Sequence, residues 1–172
     1  IFINPVVAPQ VKSKIKGEWV LKSYLKLIEK NLYPKNKFLL GGILARSYWA
    51  SPREAVFRAI CQKNFGCSHF ILGKQSSFKD VLYPAGSNIK IFEEIGDIGI
   101  KPIFVDQASY CDKCEMIRQS CKHPQSNIHS VNGGLINDFI KRKEKPPNWM
   151  MREEISGMLF DAINAGEGIL SV

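Results

Sequence analysis

Apolar positions alternate along this chain between short uninterrupted runs and longer stretches of helical spacing. The opening Ile1-Phe2-Ile3-Asn4-Pro5-Val6-Val7 is apolar, meets a proline at once and has no basic leader, which predicts a buried β-strand rather than a signal peptide. A chain that starts within a strand and without methionine is expected to have lost its natural N-terminus. Glu18 to Asn31 sets Val20, Leu21, Tyr24, Leu25, Leu27 and Ile28 on one face of an amphipathic helix. Lys37 to Leu44 returns to a strand pattern. Ser51-Pro52-Arg53-Glu54 then has the residues of a helix start, a capping serine, a first-turn proline and a glutamate for a capping box, in a helix that runs to Asn64 and stops at Gly66.

Ser68 to Gly73 is the next apolar strand and leads into a polar loop, Lys74 to Lys79. Asn88 to Ile95 predicts a short helix and Ile100 to Val105 another strand. Strands and helices in alternation, joined by short loops, predict an α/β domain with a mainly parallel sheet. Ligands bind such sheets beyond the carboxyl ends of the strands, which draws attention to the loops after Leu44 and Leu72. From Cys111 the texture changes to a Cys/His-rich loop, a helix near Leu135 to Lys143, a break at Lys145-Pro146-Pro147 and a last helix from Arg152 to Ala165. The expected organisation is an α/β part over residues 1–110 and a small helical subdomain, stapled by metal, over 111–172.

Composition narrows the function classes. Apolar residues at 45% and charged residues at 23% fit an ordinary globular protein. No apolar run approaches the roughly 20 residues that cross a bilayer. The net charge is +8, but the basic residues are scattered and lack the interleaved aromatics of a nucleic-acid platform, so nucleic-acid binding is disfavoured.

Three of the five cysteines fall within eleven residues, in the pattern Cys111-x2-Cys114-x6-Cys121-x-His123. Cys-x2-Cys on a tight turn directs two thiolates to one ion, and a second pair returned by a short loop completes a tetrahedral zinc site. Four protein ligands leave no open position, so the expected role is structural. His123 is favoured over His129 as the fourth ligand, and a sulfur-rich set of this kind also suits an iron–sulfur centre. Clustered cysteines beside a histidine imply a reducing, cytoplasmic compartment. Cys61 and Cys67 are expected to be buried, His69 to be a hydrogen-bonded core histidine, and Trp19, Trp49 and Trp149 to serve packing.

The run Ser51-Pro52-Arg53-Glu54-Ala55, followed by Lys63-Asn64-Phe65-Gly66-Cys67-Ser68-His69-Phe70-Ile71-Leu72-Gly73, resembles the central signature of the ATP sulfurylases. Tyr110-Cys111-x2-Cys114 with the later Cys-x-His resembles the zinc-binding variant of that family. Pro147-Asn148-Trp149 and the helix after it resemble the family's Pro-Glu-Trp-Phe stretch. The resemblance implies a partial Rossmann-like nucleotidyltransferase domain from the C-terminal half of a sulfate adenylyltransferase, which joins ATP and sulfate into adenylyl sulfate and pyrophosphate.

By the same resemblance Arg46, Gly73, Lys74 and Ser76 would face nucleotide or sulfate, with Ile103, Phe104 and Val105 beside adenine. The family's Gln-x-Arg-Asn-Pro and His-x-x-His segments occur nowhere in this chain. Lys74-Gln75-Ser76-Ser77-Phe78 stands where the family has Arg-Asp-His-Ala-Gly, Arg58 where it has histidine, and Asn132-Gly133-Gly134 where it has Ser-Gly-Thr. The chain is therefore expected to be inactive alone, with the missing N-terminal half as its partner and a homo-oligomer left open. The competing expectation is a degenerate sulfurylase-like module that serves as a nucleotide-binding or scaffold unit.

Overall fold

The structure, a computed structural model, describes residues 1–8, 14–45, 52–74, 83–84, 86–131 and 133–171. The chain forms two compact units, one of residues 1–46 with 109–172 and one of residues 47–108. The grouping differs from a division at residue 110, because the first 46 residues associate with the C-terminal helices.

In the first unit, β1 (Phe2–Ile3) pairs in parallel with β2 (Leu39–Leu40), and Val6 adds a parallel bridge to Ile43. Helix α1 (Gly17–Glu29) begins where the chain passes against Val7. A Cβ on Gly17 would collide with the Val7 backbone, so glycine is required there. Its Trp19 is buried among Ile140 of α4 (Gly133–Arg142), Ile155, Leu159, Phe160 and Ala162 of α5 (Glu153–Asn164), and Ile169. The C-terminus is tied back by Lys16 N–H to Ile169 O (2.9 Å) and Ser171 N–H to Lys14 O (2.7 Å). The face expected of α1 is only partly covered: Leu25 and Ile28 remain exposed.

The second unit runs α2 (Pro52–Asn64), β3 (His69–Gly73), α3 (Ser87–Ile95) and β4 (Lys101–Val105). The expected cap, Ser51, lies outside the described residues; Gly66 does end the helix turn with φ at +88°. Strands β3 and β4 are parallel, in register from His69↔Lys101 to Gly73↔Val105. Phe70, Leu72 and Phe104 turn towards Ala59 of α2 and Phe92 of α3, the centre of this unit's core, and Cys67 packs there as well.

The opposite face of the pair is open, with Ile71 62% and Ile103 39% exposed. This corrects the expectation for His69. It lies on the open face, exposed, with Nδ1 2.9 Å from Ser68 Oγ, because β3 is covered on one side only. Cys61 and Cys67 are half-buried rather than fully buried.

The mixed α/β class with parallel strand pairs is as expected. The C-terminal region is not purely helical, however. It opens on a three-stranded antiparallel sheet in the order β6 (Met116–Arg118), β5 (Ser109–Cys111), β7 (Ile128–Ser130). Strands of three residues are too short to show a period of two, so the cysteine pattern hid them. No described helix is long and apolar enough to cross a membrane.

Candidate functional site

Cys111 ends β5, and the chain turns back into β6 within four residues. Glu115 N–H closes that turn on Cys111 O at 2.8 Å, with Glu115 itself at φ +51°. The turn presents Cys114 beside Cys111. The loop after β6 brings in Cys121 and His123 before a short 3-10 turn, Gln125–Asn127, leads into β7. Asp112 N–H to Asn127 O, at 3.0 Å, holds the returning loop against the turn.

The four ligand atoms gather within 4.8 Å of one another. His123 Nδ1 lies 3.4 Å from Cys111 Sγ, 3.4 Å from Cys114 Sγ and 3.1 Å from Cys121 Sγ. Cys121 Sγ lies 3.4 Å from Cys111 Sγ and 3.5 Å from Cys114 Sγ. With Zn–S of about 2.3 Å and Zn–N of about 2.0 Å, tetrahedral angles give edges of roughly 3.5–3.8 Å. These five distances are slightly shorter than such edges, and the residues present fit a four-coordinate ion bound through Nδ1. Cys111 is buried and the other three face outward to different degrees.

Backbone N–H donation from His123 (3.5 Å) is the main cause that lowers the Cys121 thiol below its ordinary value; hydrogen bonding to Cys121, then burial, raises that of Cys114.

Strand alternation explains why His129 stands apart. Residues paired across the sheet share a face, so Tyr110, Ile117 and His129 lie on one side and Ser109, Cys111, Met116 and Arg118 on the other. On its own side the His129 Nε2–H donates to Asp112 Oδ2 at 2.7 Å. Tyr110 stacks on Trp149 at 4.5 Å and 3°, with His129 5.8 Å from the Trp149 ring. Trp149 is a packing residue, as expected, and its packing partner is the back of the cysteine-bearing sheet.

The second assembly lies at the carboxyl ends of β3 and β4. Lys74 N–H donates to Val105 O at 3.0 Å, which carries the strand pairing one step past Gly73. Lys74 Nζ reaches Asp106 Oδ2 at 2.7 Å and forms an ion pair with it, the side chains 43% and 56% exposed. Ile103 is on the open face. Phe104 packs its ring on Phe92 (5.9 Å, 74°), on the covered side of the strand pair. Gly73, Lys74 and Ile103 to Val105 therefore come together, whereas Arg46 and Ser76 lie outside the described residues.

Sequence reasoning missed Asn88, a buried residue on α3. Its Nδ2 donates to Gly73 O at 3.1 Å, and its Oδ1 is buried without a partner among the described residues. The only signal was an asparagine within the first turn of a predicted helix.

A profile of the ATP-sulfurylase family matches residues 1–162. The chain belongs to the ATP-sulfurylase family. It is 36% identical over 157 residues to the sulfate adenylyltransferase of Pyrococcus abyssi and 37% identical over 157 residues to that of Thermococcus onnurineus, in each case across 90% of this chain and 41% of the relative. The sulfate adenylyltransferase of Staphylothermus marinus is 34% identical over 162 residues, across 93% of this chain and 42% of that protein. The chain thus spans about two fifths of the length of these curated relatives. A solved structure described as the hexameric APS kinase from Thiobacillus denitrificans shares the fold, with a TM-score of 0.63 at 22% identity, over 93% of this chain and 29% of that one.

Proposed function

We propose that this chain supplies part of a sulfate adenylyltransferase, in which ATP and sulfate give adenylyl sulfate and pyrophosphate, and that it binds nucleotide without turning it over alone. The observation that carries this reading is the family match over residues 1–162. The convergence of Gly73, Lys74 and Val105 at the carboxyl ends of parallel strands supports it, since that is where open α/β sheets bind ligands.

In this reading Gly73 lets an oxyanion approach the backbone and Lys74 supplies positive charge to it. The chain at Ile103 to Val105 borders the adenine, and by the resemblance Arg46 and Ser76 would also face nucleotide or sulfate. Such chemistry is chiefly positioning and charge neutralisation around a phosphate, with no nucleophile demanded of the protein. Turnover requires the Gln-x-Arg-Asn and His-x-x-His groups that the resemblance places elsewhere, so a cytoplasmic parent that carries those groups is the active species. Homo-oligomers of that parent fit the same reading. Cys111, Cys114, Cys121 and His123 hold a structural zinc that fixes a region with few apolar residues of its own.

The Lys74–Asp106 pair favours a second reading, a degenerate module in which the anion site has neutralised itself. Calorimetric titration of the zinc-loaded chain with adenylyl sulfate and with ATP separates the two. Saturable binding of adenylyl sulfate is expected of a surviving half-site. A folded, zinc-loaded chain that binds neither contradicts the half-site and leaves the module reading.

A further inference from the structure

Three thiolates and a neutral imidazole around a divalent cation leave one net negative charge on the centre. That charge sits close to solvent and invites an internal counterion. The sheet provides one by register. Ser109 pairs with Arg118 and Cys111 with Met116, so Arg118 projects from the same face as the first cysteine ligand, two residues along β6. Its Nη1 donates to Cys114 Sγ at 3.4 Å. Lys122, which adjoins Cys121 in sequence, is exposed and makes no bond to a thiol among the described residues.

We propose that Arg118 is the counterion and positioning residue of the Cys111–Cys114–Cys121–His123 centre, holding Cys114 in its ligating rotamer and offsetting the excess negative charge of the loaded site. The inference rests on the metal reading above. A guanidinium suits this task, since its charge is permanent and its planar fork loses little freedom on bonding. Outer partners of this kind usually change metal affinity by about 10–100-fold. Arg118 is exposed, which places the expected effect near the lower end.

The test uses the whole chain and two metals as probes. Zinc affinity is measured by competition with a chromophoric chelator, and the ligand set is read from the absorption of the cobalt(II) form. Wild-type chain should bind one ion and show the intense bands of tetrahedral thiolate-bound cobalt. R118A should lose zinc affinity about tenfold and keep the same cobalt bands, because no ligand is removed. R118K should recover part of the loss, and K122A should match wild type.

Unchanged zinc affinity in R118A overturns the proposal, as does an equal loss in K122A, which would reduce the effect to general surface charge. A wild-type chain that takes up neither metal overturns the metal reading itself. If R118A does not fold, R118Q keeps a donor without the charge, and the same comparison with K122A decides.

Discussion

Glu115 occupies the left-handed region at φ +51° because the turn from Cys111 to Met116 leaves its backbone no alternative: its N–H must reach back to Cys111 O for both cysteines to face one point. A β-carbon in that region costs about 1 kcal/mol or more. Glu115→Gly should therefore stabilise the metal-bearing turn by about 1 kcal/mol, read as a higher urea midpoint for the zinc-loaded chain; a lower midpoint would mean that the glutamate side chain contributes to the fold. At the strand ends the decisive residue is Asp106. The Lys74–Asp106 pair is half-exposed, and pairs of that kind contribute about 0–1 kcal/mol. Asp106→Asn frees Lys74 and should raise affinity for adenylyl sulfate by up to about fivefold. Unchanged affinity places Lys74 away from the bound anion.

At the level of elements, the two faces of the β6-β5-β7 sheet divide the labour: one bears Cys111 of the Cys/His cluster, the other stacks Tyr110 on Trp149. Removing the ion with a chelator should loosen the sheet and disturb that stack. Trp149 fluorescence should change while the helical signal of α1 to α5 persists, and the change should be absent from W149F. Loss of helix in step with metal removal would show instead that the ion holds the whole first unit. In α1, burial and then the neighbouring Tyr33 hold the Tyr24 hydroxyl above its ordinary value of 10.0. The folded state keeps that proton longer than the unfolded state. The associated stability is fully present below pH 10.0 and is lost as pH rises through the folded-state value. Urea midpoints should thus fall with alkaline pH less steeply in Y24F than in wild type.

For the molecule as a whole, the longer elements were legible because burial imposes a period. Helices expected at Glu18–Asn31 and Arg152–Ala165 are found at Gly17–Glu29 and Glu153–Asn164, their ends shifted by one or two residues. The spacing announced the Cys111–Cys114–Cys121–His123 cluster, with His123 favoured over His129, and the structure gathers those four and gives His129 to Asp112. The three-residue strands, the exposure of His69 and the contact of Asn88 with Gly73 were not legible. Each depends on what covers a face or closes a loop, which no local pattern records. The compact units likewise join segments 1–46 and 109–172 across 62 intervening residues, a matter of packing alone.

The central proposal for this member of the ATP-sulfurylase family is that its Cys/His loop closes around one zinc. The most direct test is X-ray absorption at the zinc edge on the loaded chain. Three sulfurs near about 2.3 Å and one nitrogen near about 2.0 Å is the predicted shell. A shell of oxygens, or a chain that retains no zinc after gel filtration, would contradict it.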